Sequence, residues 1–188
     1  TDNEQALKEA EAVFTKKLEG HYRRDVLKID RDKFTKAMLA HKFEKYPDLD
    51  YSNTYSQPKL DGIRCLVTKD GMFSRGGKPI ISAPHIFKAL KELFKEDSSL
   101  VFDGELYTDA LKSDFNKIVS LAKRSKPTDA DLAESREHLQ YWIYDIASSQ
   151  DVFSDRIAAL RVLESRWRFW MSIESHCLVL VPTDKVKS

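Results

Sequence analysis

The sequence predicts an α+β domain of antiparallel sheets and packed helices. Three observations predict it. Ile63, Cys65 and Val67 alternate with Arg64, Leu66 and Thr68, the period-two signature of a strand. Ile86, Phe87, Leu90, Leu93 and Phe94 recur at helical spacing. The two kinds of segment follow one another without strict alternation, and Asp70-Gly71 marks a tight hairpin between strands.

From the N-terminus, Ala6, Leu7, Ala10, Val13, Phe14 and Leu18 form a helical stripe over residues 3–18, and Gly20 stops it. Asp30 is placed to cap a second helix with Phe34, Ala37, Met38 and His41 on one face, ended by Pro47. His41 has no second ligand at metal spacing and reads as a packing residue. Residues 55–75 read as strands around the Asp70-Gly71 turn, with Arg64 facing away from Ile63 and Cys65, and Cys65 in the core. Ser82 and Pro84 open a helix, and residues 100–106 form a strand ending near Glu105. Phe115, Ile118, Val119 and Ala122 form another helical stripe, and Thr128 with Asp131 opens a polar helix as a capping box. A strand follows over 139–146. Ser154 caps a long helix carrying Ile157, Leu160, Leu163 and Trp167, and 177–181 is a last strand.

Composition excludes several classes. At 188 residues, 41% hydrophobic and 32% charged, the chain is an ordinary globular one. No apolar run approaches a membrane span, and no signal-peptide pattern opens the chain, so a cytoplasmic location is expected, in a host cytosol if the source is viral. Cys65 and Cys177 make neither a disulfide framework nor a metal site by spacing. The net charge of +1 neither requires nor excludes a nucleic-acid partner. Two basic clusters stand out: Lys16, Lys17, Arg23 and Arg24, and Lys112, Lys117, Lys123, Arg124 and Lys126.

The chemistry concentrates in Lys59-Leu60-Asp61-Gly62-Ile63-Arg64. A lysine amine attacks phosphorus only when unprotonated, and a nearby fixed cation such as Arg64 would favour that form. Asp61 can hold a metal or orient the amine, and Gly62 would let the backbone approach a nucleotide closely. The plainer alternative is a polar turn feeding a surface strand.

Pro58 to Arg64 resembles motif I of the covalent nucleotidyltransferase superfamily, which contains ATP-dependent DNA ligases, RNA ligases and mRNA capping enzymes. Phe73-Ser74-Arg75, Phe102-Asp103-Gly104-Glu105-Leu106, Tyr141-Trp142-Ile143-Tyr144-Asp145 and Ser154-Asp155-Arg156 match further segments in order. Within the superfamily the chain is most similar to viral and bacteriophage-type ATP-dependent DNA ligases.

That resemblance implies a nucleotidyltransferase (ATP-grasp-like) adenylation domain. Lys59 would be the catalytic nucleophile, carrying AMP covalently. Gln57, Lys59, Leu60, Arg64, Glu105 and Tyr144 would surround ATP or AMP, with Gln57 at the adenine edge, Glu105 at a ribose hydroxyl and Tyr144 stacked on the base. Arg75 would grip the DNA 5′-phosphate, or else be a surface arginine beside a turn. Asp61 and Glu105 would meet Mg²⁺. The partner would be nicked duplex DNA, met by a monomer with no membrane association.

Two motifs of the family are missing. No Glu-Gly of the motif IV kind follows Asp145, and Lys185-Val186-Lys187 comes too soon to be motif V. The chain also begins Thr1-Asp2-Asn3 without an initiator methionine. The expectation is a 1–50 helical segment joined to 51–188, the first part of an adenylation domain, without motifs IV and V or an oligonucleotide-binding-fold domain. Such a chain would be cut from a longer protein and slow or inactive alone. Competing readings are an RNA ligase, a GTP-using capping enzyme, or a non-catalytic nucleotide-binding module.

Overall fold

The structure, a computed structural model, describes residues 2–19, 35, 37–38, 42–45, 48, 51–170 and 176–186. Helix α1 spans Asp2–Glu19, as the N-terminal stripe predicts. Gly20, Asp30, Phe34, His41 and Pro47 lie outside the described residues, as do Arg23 and Arg24 of the first basic cluster and Lys187 of the terminal Lys-x-Lys. Thr35, Ala37 and Met38 belong to no helix, so the expected second helix does not extend through them.

The centre is a five-stranded sheet in the order β3-β2-β4-β5-β6. Its strands are β2 (Ile63–Thr68), β3 (Gly71–Ser74), β4 (Val101–Tyr107), β5 (Gln140–Ile146) and β6 (Leu178–Leu180). A separate two-stranded ribbon pairs β1 (Tyr55–Ser56) with β7 (Asp184–Lys185). Among the described residues the sheet is joined by four α-helices: α2 (Pro84–Glu96), α3 (Phe115–Ala122), α4 (Asp129–His138) and α5 (Phe153–Trp170).

Period-two alternation divides the sheet into two faces. Ile63, Cys65 and Val67 on β2, Phe102 and Leu106 on β4, and Tyr141 and Ile143 on β5 join one buried cluster with Ile86, Leu90, Leu93, Ile118, Leu121, Ile157, Leu160 and Trp167 from the helices. Burying a large apolar side chain contributes roughly 1.5–3 kcal/mol, so this face carries most of the fold's stability. Cys65 sits in it fully buried, as alternation predicts. The Tyr141 hydroxyl donates to the Cys65 carbonyl at 3.0 Å, which satisfies both buried groups.

Four local expectations are corrected. The β2–β3 hairpin pairs Thr68 with Gly71, so Lys69-Asp70 form its two-residue loop. Gly71 is the first strand residue, at φ 138°, a conformation that favours glycine. Ser82 does not cap α2; Ala83 holds the cap position and the Ser82 hydroxyl donates to Ala122 O at 2.7 Å. Ser154 lies inside the first turn of α5, whose first amides bond Val152 O instead. The sheet is not wholly antiparallel: β6 runs parallel to β5, with the α5 crossover between them in the chain. The capping box at α4 forms as expected, Thr128 and Asp131 each accepting from the other's backbone amide.

Candidate active site

The face of the sheet away from the helices holds the polar residues. Register places Arg64 opposite Glu105, Leu66 opposite Asp103, and Glu105 opposite Trp142. The β4–β5 ladder slips between Asp103 and Gly104: Asp103 pairs with Asp145 and Gly104 with Ile143, which leaves Tyr144 as an extra residue. Such a bulge re-aims side chains locally. It turns both Tyr144 and Asp145 toward the polar face, where strict alternation would have sent Asp145 into the core.

Arg64 is the hub. Its Nε and Nη2 donate to Asp103 Oδ1 and Oδ2 at 2.5 and 2.6 Å, and its guanidinium lies 5.1 Å from the centre of the Tyr144 ring. Asp103 is buried, so a bidentate partner offsets much of its desolvation cost. The Asp103 hydrogen bond raises the Arg64 pKa further, against desolvation. Arg64 is therefore no free cation facing Lys59: its fork is occupied by Asp103, and Nη1 has no hydrogen-bond partner among the described residues.

Glu105 is 8% exposed. Burial pushes its carboxyl up to about 7, while Arg64, Lys59 and the Gly62 amide pull the other way. Lys59 is thus within electrostatic reach of Glu105, although its own side chain is exposed. Burial likewise raises the Tyr144 hydroxyl to about 12, with Glu105 adding to the shift and the Leu60 amide opposing it. Trp142 packs edge-on against Tyr107 with centroids 5.5 Å apart.

The Lys59 loop, residues 57–62, runs from β1 to β2. Gln57 Nε2 donates to Tyr144 O at 3.1 Å and to Thr183 Oγ1 at 3.0 Å, so both its protons are spent within the chain. Leu60 is half-buried against the core, and Asp61 is exposed. Packing by itself requires glycine at position 62. A Cβ there would lie 2.4 Å from Leu106 O and 2.8 Å from Glu105 Cγ, so glycine lets the loop seat on β4.

Arg75 is exposed in the turn after β3, away from any ion pair among the described residues. The second basic cluster is largely neutralised. Lys117 pairs with Glu134, and Arg124 with Asp131 and Glu134, which leaves Lys112, Lys123 and Lys126 as its exposed cations. Among the described residues no group of three or more His, Cys, Asp or Glu side chains is placed to hold a metal ion.

Sequence reasoning named Asp145 and Arg156 without joining them. The Arg156 Nε and Nη2 each donate to Asp145 at 2.7 Å, and Nη1 donates to Asp151 O at 2.5 Å, which ties α5 to the bulge. Thr183 was missed entirely, and a lone threonine in that stretch carries no signal.

The family described as ATP dependent DNA ligase domain matches residues 37–161, a span that contains the Lys59 loop, β2, β4, β5 and the start of α5. The chain belongs to this family. No curated protein sequence matches it. Among solved structures, one described as a study of Lig E DNA ligases superposes with a TM-score of 0.60 at 19% identity, over 81% of this chain and 52% of that one. The Chlorella virus DNA ligase-adenylate superposes with a TM-score of 0.54 at 20% identity, over 82% of this chain and 51% of that one. At these identities the likeness establishes the fold, the adenylation fold of DNA ligases. The chain spans about half the length of these structures.

Proposed function

We propose that the protein is an ATP-dependent DNA ligase that seals nicks through a covalent lysyl-AMP. The observation that carries the proposal is the gathering of Arg64, Glu105 and Tyr144, from three adjacent strands, on one face beside the exposed Lys59.

In this reading the neutral Lys59 Nζ attacks the α-phosphorus of ATP. An N–P bond forms, the bond to the bridging oxygen breaks, pyrophosphate leaves, and the amine's proton passes to solvent. A 5′-phosphate oxygen at the nick then attacks the same phosphorus and frees Lys59. The 3′-hydroxyl finally attacks the activated 5′-phosphate, AMP leaves, and the strand is closed.

Tyr144 offers its ring to adenine, and such stacking contributes about 1–3 kcal/mol. Glu105 accepts from a ribose hydroxyl, and the free Nη1 of Arg64 donates to sugar or phosphate oxygens. Arg75, exposed in its turn, meets the 5′-phosphate. Magnesium, when bound, neutralises phosphate charge. A site offering only Asp61 and Glu105 suits it, because Mg²⁺ takes one or two carboxylates and completes its shell with phosphate oxygens and water.

We place the protein as a monomer in a reducing, cytoplasmic compartment, since Cys65 and Cys177 are free thiols. No helix among the described residues is long and apolar enough to cross a membrane.

The test is covalent labelling with α-labelled ATP and magnesium. Label on the parent chain and none on Lys59→Ala is the expected result. Label only from GTP would favour the capping-enzyme reading. A folded chain that takes no label from either nucleotide would overturn self-adenylation by this chain.

A further inference from the structure

We infer that Gln57 is a positioning residue, which through its amide nitrogen, and with Thr183, locks the Lys59 loop against the backbone of Tyr144. The inference rests on the self-adenylation reading above.

The geometry of the Gln57 side chain supports it. One proton of Nε2 goes to Tyr144 O at 3.1 Å and the other to Thr183 Oγ1 at 3.0 Å. A carbonyl oxygen can only accept, so the amide nitrogen must face Tyr144. The Thr183 hydroxyl donates its own proton to Val181 O at 3.0 Å, which leaves a lone pair for Gln57. Each hydrogen in this chain of bonds therefore has one acceptor, and both protons of Gln57 Nε2 are committed to the lock.

The sheet explains why Tyr144 O is free for this contact. The parallel β5–β6 ladder ends where Val181 N donates to Ile143 O. The next carbonyl belongs to Tyr144, which the bulge leaves out of the β4 pairing, and it accepts from Gln57 Nε2. A second tie runs alongside: Val186 N donates to Thr54 O at 2.9 Å, next to the β1–β7 ribbon. Thus the segment after β6 holds both the strand entering the Lys59 loop and the glutamine inside it. Tyr144 and Lys59 lie on segments far apart in the chain, and this lock sets one against the other.

The experiment compares the parent with Thr183→Val and Gln57→Ala. Thr183→Val keeps the side-chain volume and removes the hydroxyl, at a residue with no assigned contact to nucleotide. Labelling by ATP is followed to saturation, and amide exchange of Leu60 and Asp61 is measured without nucleotide. Both variants are expected to lower the maximal labelling rate about threefold to tenfold, the usual worth of one hydrogen bond. ATP half-saturation should stay within about twofold, and exchange at Leu60 and Asp61 should quicken in both.

A silent Thr183→Val, with Gln57→Ala raising half-saturation or relaxing the preference for ATP over GTP, would overturn the inference in favour of base reading. If the parent takes no label, the functional reading fails by itself and exchange alone decides. Faster exchange in both variants then upholds the lock, and unchanged exchange overturns it.

Discussion

The polar face of the sheet and the turn after β3 handle charge in opposite ways. On the sheet, Arg64 is paired by a two-pronged bond to buried Asp103, and Arg156 is paired the same way to Asp145. In the turn, Arg75 is exposed without an ion-pair partner among the described residues. The glycines differ in parallel. A Cβ on Gly104 would lie 2.4 Å from Trp142 O and 2.7 Å from the Tyr141 ring, whereas one on Gly76 would meet nothing within 4 Å. Under the proposed function, the groups that would hold a small ligand are built into a packed lattice, and the cation that would meet a large, charged partner stands exposed.

Gly104→Ala should break the packed side of this comparison most severely. Its Cβ would strike a backbone oxygen that cannot move without opening the β4–β5 ladder. We expect a loss of about 3 kcal/mol in denaturant unfolding. Gly76→Ala, measured alongside, should shift stability by less than about 0.5 kcal/mol. Equal effects would refute the contrast.

Glu105 sharpens it through pH. Its carboxyl is pushed up to about 7 by burial, well above an unfolded glutamate. The folded chain therefore binds this proton more tightly than the unfolded chain. The contribution to stability is fully present at pH values below the unfolded pKa and is lost as pH rises through about 7. Glu105→Gln mimics the protonated form, so in nucleotide-free and metal-free buffer the variant should match the parent near pH 4. At pH 8 it should be more stable by ~2 kcal/mol. A stability difference that does not change between these pH values would show that Glu105 is not desolvated.

Arg75→Ala should be the mildest change. Unfolding should be unaltered within about 0.5 kcal/mol. Binding to nicked DNA, if the proposed contact exists, should weaken, with the salt slope falling by about one. An unchanged slope would remove Arg75 from the DNA interface.

Much of this was legible in advance because the signals are local. The period-two run through Ile63, Cys65 and Val67 located β2 and buried Cys65 correctly. The capping box at Thr128 and Asp131 depends on neighbours three residues apart. The misread features depend on contacts distant in sequence. Ser82 has cap chemistry, yet its hydroxyl is taken by Ala122 across the fold. The cluster from Lys112 to Lys126 reads as a basic patch until α4 brings Asp131 and Glu134 to two of its members.

By itself the sequence determined most of the strand and helix segments from residue 55 to residue 180, the Lys59 signature and the resemblance that names the family, since these reside in short runs of side chains whose order is their meaning. Tertiary structure alone decided the partners: Asp103 for Arg64 across 39 residues, and Thr183 for Gln57 across 126. The physical reason is that a hydrogen bond needs two atoms about 3 Å apart. Strand order, a one-residue bulge and the return of the chain to β1 set that distance, and no local pattern encodes them.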